Sequence, residues 1–146
     1  MLELVVVLGI ITLIASLSVS SFVNLNRDQT VDKAALLAVS VLDEARSLTL
    51  ASKNSSQYGV HFDDVNAQII LFTGSVYSAG ASSNQINALD AAVQISSINL
   101  AGLGKDVVFN RLTGGTAQTG TVTISSRTDN TSKTVTVYGT GEAESR

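Results

Sequence analysis

The chain holds a single histidine and no cysteine, so thiolate nucleophiles, disulfides and cysteine-ligated metals are excluded from the outset. That histidine, His61, lies in Tyr58-Gly59-Val60-His61-Phe62, a stretch whose apolar residues alternate as in a strand. Alternation sets His61 on the face opposite Tyr58, Val60 and Phe62, toward solvent. Catalysis normally needs a positioned base with a partner within hydrogen-bond reach, and His61 is the only histidine that could serve. The expectation is an exposed histidine, no catalytic residue and no enzyme.

Three further groups could do chemistry by type. Asp63, Asp64 and Asn66 could present oxygens to calcium, but the long loop closed by a bidentate acid is missing. Asp and Asn are also common turn formers, so a turn is expected and a metal is not. Gly114, Gly115 and Gly120 suggest a phosphate loop, yet no Lys-Ser or Lys-Thr ends it and no helix pattern follows. A flexible turn is expected there, and no cofactor. The nine Lys and Arg residues are scattered, the net charge is -3, and the last residues read Gly141-Glu142-Ala143-Glu144-Ser145-Arg146. Phosphate backbones call for clustered cations, so DNA is not an expected partner.

The remaining candidate is Glu3. It borders residues 4–23, LVVVLGIITLIASLSVSSFV, which carry no charge. A helix of that length spans roughly the 30 Å hydrocarbon core of a bilayer. A signal peptide would begin with basic residues, whereas the first Lys or Arg here is Arg27. A carboxylate at the edge of such a run costs little at headgroup level, but is expensive to bury unless neutralised or paired.

These residues must be positioned by the elements around them. Apolar residues make up 45% of the chain and charged ones 14%, well below the roughly one quarter usual in soluble domains, so part of the chain is built to leave water. Val31, Ala34, Ala35, Ala38, Val41, Leu42, Ala45 and Leu48 recur at helical spacing and form one stripe. No Pro or Gly interrupts residues 24–53, so a single helix over about residues 2–52 is expected. Small alanines point to close packing on a sheet. Tyr58 to Phe62 and Gln68 to Phe72 read as a hairpin, residues 74–87 as a long polar loop, and residues 92–98 and 106–109 as strands. Residues 120–125 and 133–138 form a second hairpin, and residues 139–146 a frayed tail.

The opening Leu2-Glu3-Leu4-Val5-Val6-Val7-Leu8-Gly9-Ile10-Ile11 resembles the start of type IV pilins and pseudopilins, a Phe-Thr-Leu-Ile-Glu-Leu pattern followed by an apolar helix. Met1 falls on the third residue of that pattern, so the resemblance implies that the Phe-Thr pair, the Gly before it and the basic leader are missing here. Ser20 stands where many relatives have a kinking proline. The order of elements is similar to GspH and FimT-type minor pilins, with Ala45-Arg46-Ser47, Tyr58-Gly59-Val60 and Gly120-Thr121-Val122-Thr123 matching in kind.

The resemblance implies an α+β, pilin-like fold: a long amino-terminal hydrophobic helix (residues 1–53) packed on an antiparallel β-sheet head (residues 54–146). It implies a minor structural subunit of a type IV pilus or of a secretion or DNA-uptake filament. Glu3 would pair with the terminal amine of a neighbouring subunit, and Leu4, Val5, Val6, Val7, Leu8, Ile10, Ile11, Leu13 and Ile14 would form the membrane-spanning and filament-core helix. Implied partners are other pilin or pseudopilin subunits, the cytoplasmic membrane before assembly, a prepilin peptidase and the assembly machinery. The implied location is the bacterial cytoplasmic membrane as a single-pass protein, then an extracytoplasmic filament at the cell surface. A second reading is a membrane-anchored extracytoplasmic binding module that uses the loop at residues 74–87.

Overall fold

The structure, a computed structural model, describes residues 3–15, 29–102 and 104–146 in full, and residues 2 and 16–28 by their backbone alone. Among the described residues one α-helix, α1, runs Leu2–Leu50 and is followed by a 3-10 turn, Lys53–Ser55. Eight strands follow among the described residues: β1 Tyr58–Asp63, β2 Gln68–Thr73, β3 Gln85–Ala88, β4 Val93–Leu100, β5 Asp106–Val108, β6 Gly120–Ser126, β7 Ser132–Val137 and β8 Ala143–Ser145. They form two antiparallel four-stranded sheets, ordered β3-β2-β1-β5 and β4-β6-β7-β8.

Both expected hairpins are present. Tyr58 faces Thr73 and Asp63 faces Gln68 across the first, while Gly120 faces Val137 across the second. Two short strands arise where none was expected. Gln85–Ala88 joins the edge of β2 inside the supposed loop, and Ala143–Ser145 pairs with β7. The tail is held rather than frayed: Arg146 and Thr134 exchange backbone hydrogen bonds at 2.8 and 2.9 Å, and Tyr138 donates its hydroxyl proton to Glu144. Sequences such as Gln-Ile-Asn-Ala and Ala-Glu-Ser carry little strand propensity; their pairing is imposed by the neighbouring strand.

One core joins the second half of α1 to both sheets. Val31, Ala34, Ala35, Ala38, Val41, Leu42 and Ala45 are buried against Tyr58, Val60, Phe62, Ile69, Leu71, Val93, Ile95, Val107, Phe109, Val122, Ile124, Val135 and Val137. The expected stripe is therefore the packed one, with Leu48 half-buried at its end. Alanine at four of these positions leaves no side chain to hold the helix off the strands. Thr49 is fully buried and closes the helix polar-side in: its hydroxyl donates to Ala45 O at 2.8 Å and accepts from Tyr58 N–H at 2.9 Å, tying the helix end to β1. The helix stops because Ser52, at φ 47, turns the chain left-handed.

The pilin-like class is corrected on two points. The head is two sheets sharing a core with α1, not one sheet. Among the described residues no helix is long and apolar enough to cross a membrane. Nor is the apolar run packed on the sheets, since residues 3–15 are exposed. The readings that depended on a spanning helix fall with it: a single-pass location, a filament subunit assembled through that helix, and the membrane-anchored module. The remainder of residues 4–23, with Ser20 at the position of the relatives' kinking proline, lies outside the fully described residues.

Candidate functional site

The residues singled out at the amino terminus share one short helical segment. Glu3 stands in the first turn, where the partial positive charge of the helix end favours an acid. Leu4, Val5, Val6, Val7, Leu8, Ile10, Ile11, Leu13 and Ile14 are each between 52% and 68% exposed, on every side of the helix. Nothing lies within 4 Å of a methyl group placed on Gly9, so the inner side of this segment is as open as the outer. Thr12 turns its hydroxyl to Gly9 O at 2.9 Å, which leaves an uninterrupted apolar cylinder with one carboxylate at its tip. The structure lines these residues up but packs them against no part of the head.

His61 lies where alternation puts it, but not in the expected environment. It is on the outer face of the first sheet, with its side chain only 17% exposed. The loop after β2 lays Tyr77 over it, with ring centroids 3.9 Å apart and planes at 5°. The edge of Tyr77 meets Phe72 at 5.6 Å, and His61 Nδ1 is 2.5 Å from Asp106 Oδ1 on β5. Phe72 can lie flat on this face because residue 59 is glycine: a methyl group there would fall 2.6 Å from Phe72 Cζ and 2.8 Å from Val107 O. The partner of His61 is brought by cross-strand register, His61 opposite Asp106. That pairing joins residues 45 apart, which local spacing could not reveal.

A shallow groove of about 220 Å³ adjoins this cluster, lined by Ser75, Val76, Gly102, Asp106 and Gln118 among others. A second, of about 340 Å³, lies between α1 and the β3–β4 connection, lined by Thr30, Lys33, Ala34, Leu37, Leu89 and Asp90 among others. Neither brings together a nucleophile, a base and an oxyanion donor.

The carboxylates of the β1–β2 turn point to different partners. Asp63 accepts N–H bonds from Val65 and Asn66, each at 3.0 Å, and the Asn66 side-chain amide at 2.7 Å. The Asn66 amide, with its backbone N–H, holds the Asp63 carboxyl below the ordinary aspartate range. Asp64 meets the Lys105 ammonium at 2.5 Å, which lowers it likewise. The glycine segment is tied rather than loose: Asn110 N–H donates to Gly115 O at 2.8 Å and Gly114 N–H to Asn110 O at 2.9 Å.

Compared with protein-family models, with curated proteins and with solved structures, the chain matches none.

Proposed function

We propose that the chain is a non-enzymatic association protein, whose folded head is carried by α1 and whose apolar end, Leu4 to Ile14, docks on an apolar helix of another protein subunit. The exposure of that segment on all sides carries this reading. Side chains of this size each gain about 1.5–3 kcal/mol on full burial, and contiguous apolar surface mostly marks an interaction site. The partner's face is apolar, with one cation to match Glu3, because burying an unpaired carboxylate would cancel much of the gain. Kinship with type IV pilins and pseudopilins, through the motif at residues 2–11, belongs to this proposal; a filament or membrane-spanning role does not. The non-enzymatic reading is supported by His61, whose ring face and Nδ1 are both engaged within the chain.

The test uses the purified chain as its own probe of a helix-bearing subunit. Sedimentation velocity over a concentration series should show association that Leu8→Asp/Ile11→Asp abolishes and Glu3→Lys weakens, with the far-ultraviolet spectrum and thermal transition of the head unchanged. A chain that stays monomeric throughout, or association indifferent to all three changes, would sink the proposal.

A further inference from the structure

At the end of the head where α1 stops, backbone strain and unpaired positive charge coincide. Five described non-glycine residues have positive φ: Ser52 (47°), Asn54 (53°), Ser55 (54°), Ala67 (51°) and Leu112 (75°). Four of them meet at this end, since Arg111 Nη1 donates to Ser55 O at 2.9 Å and clamps the loop carrying Leu112 onto residues 52–55. The loop is closed on itself by the Asn110–Gly115 and Gly114–Asn110 backbone bonds, and is pinned to the helix by Arg46 Nε donating to Gly114 O at 3.3 Å.

Leu112 crowns this rigid turn and is 89% exposed, more than any other large apolar residue described. The left-handed conformation suits glycine or asparagine, and a branched side chain there is an outlier. Leu112 thus bears two costs at once, a strained backbone and an apolar side chain left almost wholly in water. Val65 is a useful contrast: it is 81% exposed at a turn, but its φ is ordinary. Arg111 precedes Leu112, Arg46 reaches the same turn at Gly114 O, and Lys53 belongs to the segment that Arg111 clamps; none of the three makes an ion pair among the described residues. In a chain of net charge -3, three cations with no carboxylate partner at the end of the head that carries Leu112 form a local reversal of sign.

We infer that the Asn110–Gly115 turn is a docking knob: Leu112 is the anchor, and its occupant is a partner protein whose apolar socket is rimmed by carboxylates. Strain held by surrounding bonds is characteristic of binding loops, and a pre-set turn loses little freedom on docking. The cations choose an acidic rim and make the affinity fall with salt. This surface lies at the opposite end of α1 from Glu3 and does not depend on the role of the apolar segment.

A displayed library of random peptides, selected on the full chain, tests the inference. Enriched peptides should pair a large apolar residue with flanking Asp or Glu, and their binding should weaken with salt. Leu112→Gly, which keeps the backbone conformation, should weaken binding at least about tenfold while the thermal transition stays level or rises; Val65→Gly should leave binding intact. Lack of enrichment, basic peptides in place of acidic ones, or equal binding to Leu112→Gly would overturn it. So would self-association of the pure chain that Leu112→Gly removes, since the occupant would then be a second copy.

Discussion

The two ends of α1 are built of similar residues and live in opposite surroundings. From Val31 to Thr49 one stripe is buried, every alanine of it included, while Leu36 is the one large apolar side chain left exposed on the outer face. From Leu4 to Ile14 there is no polar face at all, and every large side chain is more than half exposed. A stripe needs one surface to cover it, and the two sheets supply that surface. A cylinder needs cover on all sides, which a single small head cannot give. The difference shows that helical continuity carries no energy from one end to the other: the packed end is stabilised by the chain itself, and the open end only by what it meets.

The contrast is broken or upheld most decisively by paired truncations. Leu42, fully buried among helix and sheets, should lose about 2–5 kcal/mol on conversion to Ala, through lost transfer energy and the cavity left behind. Leu8→Ala, on the open cylinder, should stay within about 0.5 kcal/mol of the parent. Urea unfolding under conditions where the chain is monomeric measures both. A Leu8→Ala loss comparable with that of Leu42→Ala would mean that the open end packs on the head after all.

The junction between helix and sheet gives a smaller effect. Thr49→Val keeps the shape of the side chain but removes the acceptor of Tyr58 N–H, leaving a buried donor unsatisfied at a cost of about 1–3 kcal/mol. Amide exchange should locate the damage, with Tyr58 N–H losing protection and the β6–β7 hairpin keeping its own. Uniform loss across both sheets would instead show that the helix end holds the entire core.

Much of this was legible in the sequence, for identifiable reasons. The buried stripe of α1 and both hairpins announced themselves because their periods, near 3.6 and 2, persist for several residues. The alternation that set His61 opposite Tyr58, Val60 and Phe62 was also sound. Its solvent exposure was misjudged because Tyr77 reaches it from a loop, and Asp106 from β5, with three strands between it and β1 in the chain. β3 and β8 escaped notice because ladder pairing, not side-chain pattern, makes them strands. Residues 4–23 misled most: apolar length suggested a membrane span, whereas among the described residues no helix is long and apolar enough to cross one. The strain at Leu112 left no trace in composition, since leucine is an ordinary residue whose backbone angle is set by the bonds around it.

The smallest effect belongs to the β1–β2 turn, which is exposed like the open cylinder yet ordered, and so asks whether polar capping can substitute for cover. Asp63 is held below the ordinary aspartate range first by the Asn66 side-chain amide and then by the Asn66 backbone N–H. A depressed folded-state value means that the unfolded chain binds the proton more readily as the pH falls. The stabilisation from Asp63 is therefore complete above the unfolded value, about 3.9, and is lost as the pH drops through the lower folded one. Asp63→Asn removes the charge that draws these donors, and should flatten the stability profile in that acid window while leaving neutral-pH stability only slightly reduced. Because the turn is open to solvent, added salt should shrink the difference further. Chemical denaturation of parent and variant at a series of pH values below 5 reads this directly; parallel profiles would mean that the turn is ordered by the β1–β2 ladder alone.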